Sequence, residues 1–112
     1  MLYCSEVITI VYRIIVKKGK EEEFKTLKDK ILVPLATSLE GCVIFFPLSP
    51  YENKREFIFY EIWRNERAVE NYYKELIRVL GKNSPGKIFP DKLNSFIEKE
   101  EDILHKEIAK TK

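Results

Sequence analysis

The stretch that decides the fold is Arg55-Glu56-Phe57-Ile58-Phe59-Tyr60-Glu61-Ile62-Trp63-Arg64, continuing Asn65-Glu66-Arg67-Ala68-Val69-Glu70-Asn71-Tyr72-Tyr73-Lys74-Glu75-Leu76-Ile77-Arg78-Val79-Leu80. Its first half is rich in aromatic and β-branched residues, which suit a pleated, buried surface and predict a strand. Its second half places apolar residues at 69, 72, 73, 76, 77 and 80, one face of a helix. Asn65 stands where the period changes from two to 3.6. Its side chain can accept from a first-turn N–H, which makes it the expected N-cap. Side chains alternate along a strand, so Phe57, Phe59 and Trp63 point one way and Ile58, Tyr60 and Ile62 the other. Both faces are apolar, whereas a small antiparallel sheet usually leaves one face wet.

The rest of the chain follows the same logic. Residues 6–16 alternate between two largely apolar sets, predicting a first strand. Lys17-Lys18-Gly19 turns the chain. Glu21-Glu22-Glu23 opens a helix whose dipole favours acids there, and this run reads as solvated rather than metal-binding. Phe24, Leu27, Ile31 and Leu35 form the buried stripe of that helix, and Pro34 is expected to kink or divide it. Cys42 to Leu48 is a continuous apolar run, predicting a second strand buried on both sides, with Pro47 marking an edge or a bulge. Residues 49–55 join it to the third strand as a hairpin. Residues 81–86 are a loop, 90–97 a short helix, 98–102 an acidic solvated run, and 103–109 a final strand. Lys110-Thr111-Lys112 is expected to fray.

The order is β-α-β-β-α-β: an α+β, ferredoxin-like antiparallel sheet with its helices on one face. With 112 residues the chain makes a single domain, 1–112, with its core in 6–109. The second apolar face then predicts a homodimer packed through the sheet. Twenty basic and 18 acidic residues leave a net charge of +2, which argues for neither nucleic acid nor membrane as a partner. Cys4, Cys42 and a lone His105 make no usual zinc site, and no metal is expected. A Cys4–Cys42 disulfide stays open. The apolar residues 7–16 are too short to span a bilayer and lack signal-peptide flanks, so a cytoplasmic location is expected.

Three segments in order resemble the antibiotic biosynthesis monooxygenase-like domains, the dimeric α+β barrels. Val16-Lys17-Lys18-Gly19-Lys20-Glu21-Glu22-Glu23-Phe24 is similar to the family's VKPGKEEEF. Leu39-Glu40-Gly41-Cys42 is similar to its EPGC, and Phe57 to Tyr72 to its FVFYEVWEDEEALEAH. The resemblance covers about residues 6–80. It implies the fold and the dimer, and a protein that is either a cofactor-free monooxygenase or a non-catalytic ligand-binding domain. Other members degrade haem. Their Asn and Trp positions are matched here by Tyr12 and Tyr72, and no histidine stands near the end of the second helix, so haem chemistry is disfavoured.

The resemblance and the composition together place a pocket between helices and sheet, for a small aromatic or quinol-type molecule and with no cofactor. Tyr12, Tyr60, Trp63 and Tyr73 are the expected ligand-binding residues, because rings with one polar tip stack on and orient a flat ligand. Tyr72 is the candidate catalytic residue, as a donor to a substrate oxyanion. Arg13 and Glu61 interrupt two neighbouring strands and are expected to form a structural ion pair. His105 reads as a surface or interface residue. A rival reading is an RNA-recognition module, which shares the element order. Arg55, Phe57 and Phe59 match part of its third-strand motif, although both small positions are lost to Glu56 and Ile58.

Overall fold

The structure, a computed structural model, describes residues 7–50 and 52–108, without the side chains of 105–108. β1 (Val7–Val16) leads into α1 (Glu21–Leu27), a π-helical turn (Lys28–Leu32) and α2 (Val33–Ser38). β2 (Cys42–Leu48), β3 (Glu56–Trp63), α3 (Glu66–Leu80), α4 (Asp91–Asn94) and β4 (Ile97–Ile108) follow. The strands form one antiparallel sheet in the order β2-β3-β1-β4, the ferredoxin-like arrangement expected.

Local chemistry explains each junction. Asn65 is extended, and its side chain accepts from the Ala68 N–H at 3.0 Å, capping α3. Pro34 has no N–H to offer Lys30, four residues back. The ladder slips one residue just before it, and the Val33 N–H bonds the Lys28 carbonyl five residues back. The interruption is therefore a π turn rather than a sharp kink. At the hairpin, Asn53 accepts from the Arg55 N–H at 3.0 Å and so closes the turn into β3.

One face of the sheet carries the core. Ile8, Ile10, Ile14 and Val16 of β1 and Phe57, Phe59 and Trp63 of β3 are buried against Phe24, Leu27, Leu32, Val69, Tyr72 and Leu76 of the helices. The tilted contact of Phe24 on Phe57, with ring centroids 4.7 Å apart, ties α1 to β3. Because Phe57 and Phe59 lie under the helices, no base can stack on them, and the RNA-recognition reading falls.

The other face presents Ile44, Phe46 and Leu48 of β2, Tyr60 of β3 and Leu104 of β4 to solvent, with Ile58, Ile62, Val11 and Ile15 half-buried between them. The expectation that β2 is buried on both sides is therefore corrected. Of the two readings of Pro47 the edge strand holds, since β2 is outermost in the sheet, and its bulge sits at Val43. Two further corrections fall near the C-terminus. The helix expected over 90–97 is one turn, Asp91–Asn94, and β4 starts at Ile97, so the acidic run 98–102 lies inside a strand. Partners across the sheet make that tolerable: Arg55 meets Glu98 at 2.7 Å, and Arg13 meets Glu101 at 3.3 Å. Cys4 and residues 109–112 lie outside the described residues.

Candidate functional site

A cavity of about 600 Å³ opens between the sheet, α3 and the segment from Gly86 to Asn94. Its floor is built by β1 (Ile10, Tyr12, Ile14) and β3 (Phe59, Glu61), and Glu100 and Asp102 of β4 line its exposed rim. Tyr72, Tyr73 and Leu76 of α3 form one wall, and Phe89 and Leu93 the other. The helical spacing 72, 73, 76 and the strand spacing 59, 61 put these side chains on one side because the periods are 3.6 and two. Its lining combines apolar side chains with tyrosine hydroxyls and charged groups.

Glu61 is the buried carboxylate of this cavity. It is 8% exposed, and one of its oxygens accepts the indole N–H of Trp63 at 2.8 Å. Burial pushes its pKa up from the ordinary carboxylate value to about 7. The indole bond pulls the other way, and the charge of Asp102 adds a smaller upward push. Trp63 is fully buried and stacks on Tyr72, with centroids 5.0 Å apart and an interplanar angle of 28°. Trp63 thus holds Glu61 from behind and is not among the residues lining the cavity, which corrects its expected place there.

The tyrosines are donors rather than bases. Burial raises Tyr72 well above the usual phenol value, and Tyr73 up to about 12, with the Glu61 charge next in importance for both. The hydrogen bonds among the described residues include none from either hydroxyl. The Tyr12 hydroxyl donates to Glu100, and burial followed by that bond raises its pKa too. Phe89 meets Tyr12 edge-on at 5.4 Å and Tyr73 at 5.8 Å.

The sequence-predicted residues therefore divide. Tyr12, Tyr72 and Tyr73 line the cavity together. Tyr60 does not, since it is exposed on the far side of the sheet. The Arg13–Glu61 ion pair is also corrected. Arg13 faces away from the helices, where its guanidinium meets Glu56 at 2.5 Å, while Glu61 faces the core opposite Ile10. The β3 alternation held the signal, because Glu61 shares its parity with Phe57, Phe59 and Trp63. Glu100 and Asp102 were missed because their segment reads as a solvated run. Phe89 was missed because it sits in a loop. His105 pairs with Ile10 through the backbone, and its side chain lies outside the described residues.

Known proteins agree with this architecture. A Pseudomonas aeruginosa protein superposes with a TM-score of 0.70 at 14% identity, over 98% of this chain and 99% of that one. A Methanosarcina mazei protein gives 0.65 at 25% identity, over 94% and 93%. A cofactor-independent oxygenase from Streptomyces nogalater gives 0.64 at 16% identity, over 96% of each chain. An uncharacterized protein of Synechocystis sp. is 34% identical over 70 residues, 60% of this chain, and the chain spans only 45% of that relative's length. The model of the antibiotic biosynthesis monooxygenase family matches residues 7–75, and the chain belongs to that family.

Proposed function

We propose that the protein binds a small hydroxylated aromatic molecule of quinol type in this cavity and oxidises it with molecular oxygen, the substrate supplying the electrons. The observation that carries this reading is Glu61, a buried carboxylate with a pKa of about 7 at the floor of a cavity walled by protonated tyrosines. A base poised near neutral pH takes a phenolic proton efficiently. Its second oxygen has no partner among the described residues, while the Trp63 indole N–H fixes the first.

Proton transfer from substrate hydroxyl to Glu61 leaves an aryl oxide. Tyr72 and Tyr73, whose raised pKa values keep them protonated, donate to that anion. The electron-rich ring then gives its electrons to oxygen. One oxygen atom becomes a carbonyl at a ring carbon that carried one hydrogen, the aryl oxide carbon becomes the second carbonyl, and the other oxygen atom leaves as water with that ring hydrogen and the hydroxyl proton. The Streptomyces nogalater neighbour, a cofactor-independent oxygenase, supports this reaction class. The same reading takes the open sheet face, with Phe46 and its neighbours, as the seat of a second copy.

Oxygen uptake across a panel of hydroxyarenes, with calorimetric binding beside it, tests the proposal. Wild type takes up oxygen with at least one of them. Glu61→Gln loses about 10²-fold or more, the range for a lost general base, and Tyr72→Phe loses less. Binding without uptake would make the domain a ligand carrier. Neither binding nor uptake would end the reading.

A further inference from the structure

The charge of the cavity is opposite to that of the chain. The chain carries a net +2, yet the cavity is lined by four carboxylates, Glu61, Glu66, Glu100 and Asp102, against one ammonium, Lys87. A concave site with low-dielectric walls focuses such a field inward. Among the described residues, no group of three or more acidic, histidine or cysteine side chains is placed to hold a metal ion. An organic cation suits such a field. Aromatic rings stand beside the carboxylates: Tyr73 and Phe89 meet at 87°, and Tyr12 and Phe89 at 68°. The negative faces of such rings attract ammonium groups.

The acids occupy two depths. Glu61 is buried on β3, while Glu100 and Asp102 on β4 are exposed at the mouth. Glu61 pairs with Ile10 of β1, and Asp102 pairs with Tyr12 of the same strand. They are two strands apart and two residues offset, roughly 11–12 Å between backbones by strand spacing and rise. A ring with a hydroxyl at one end and an aminoalkyl chain at the other bridges that gap once both side chains reach inward. Resting on the hydroxyarene reading above, we infer that the ligand is a protonated aryl amine, its hydroxyl at Glu61 and its ammonium at Glu100 and Asp102. Hydroxyaryl carboxylates and phosphates are turned away by the same field.

Calorimetry with three probes of one ring tests this: tyramine, 4-hydroxyphenylacetate and p-cresol. Tyramine is expected to bind at least tenfold tighter than 4-hydroxyphenylacetate at low salt, with the ratio shrinking as salt rises. Asp102→Asn reduces the ratio severalfold. Glu100→Gln, which keeps an acceptor for Tyr12, does the same if the first variant fails to fold. Each ratio is measured within one protein, so a general loss of affinity cancels. Equal binding of tyramine and 4-hydroxyphenylacetate, or a ratio untouched by both variants, overturns the inference and leaves the hydroxyarene site standing if p-cresol binds. Failure of all three probes to bind overturns both.

Discussion

Glu61 concentrates the tension between stability and chemistry. Its pKa is higher folded than unfolded, so between about 4.5 and 7 the native state holds a proton that the unfolded chain releases. Stability from this group is thus lost as pH rises through that window. A shift of this size corresponds to roughly 3 kcal/mol once the carboxylate is fully charged. Gln at 61 keeps an acceptor for the Trp63 indole and never charges. Thermal melts should therefore show Glu61→Gln more stable than wild type at pH 8 and close to it at pH 5. The kinetic counterpart has the opposite direction: as a base, Glu61 works only when ionised. Initial rates of oxygen uptake should rise with pH through about 7 and then level, and the Glu61→Gln residue of activity should lose that limb.

Between elements, the glycine with the closest neighbour is Gly41, at the entry to β2. A Cβ added at Gly41 would fall 2.3 Å from the Cβ of Ala68, too close for either backbone to stay in place. The Gly41 carbonyl meanwhile accepts from the Arg64 N–H at 2.7 Å and so joins the start of β2 to the end of β3. Gly41→Ala should cost on the order of 1–3 kcal/mol by overpacking. Ala68→Gly, worth about 1 kcal/mol on its own in a helix, should recover part of that loss, giving a non-additive cycle in urea melts. Elements of this kind were legible wherever a period ran unbroken. The alternation of Phe57 to Trp63 and the 69-72-76-80 stripe named β3 and α3 with their faces, and Asn65 marked the junction. The reading failed where charge masked the period. Glu98 to Asp102 looked solvated, and its side chains are, yet an edge strand with arginines across from it tolerates such a run. Glu61 was read as a break in its strand, although its parity already placed it among buried rings. Which loop would close the cavity was not readable, because Phe89 reaches Tyr12 and Tyr73 only through tertiary packing.

The whole molecule presents an unbalanced surface. The helices cover one side of the sheet, while Phe46 at 57% exposure, with Ile44, Leu48, Tyr60 and Leu104, stands on the other. A stable pair of subunits would bury about 1,200–2,000 Å² or more there. Sedimentation velocity at micromolar concentration should give a dimer for wild type, and a folded monomer for Phe46→Glu, which would place a charge in the seam. A wild-type monomer would dissociate this face from assembly.

The sheet's two margins differ from that face. β2 carries Pro47 and a bulge at Val43, and β4 carries five consecutive charges and two slips in register. Strands so interrupted make poor templates for a further backbone. Growth into ribbons or fibres by lateral strand addition is thereby discouraged, so even a crowded solution of this protein should favour closed, countable particles over open-ended polymer.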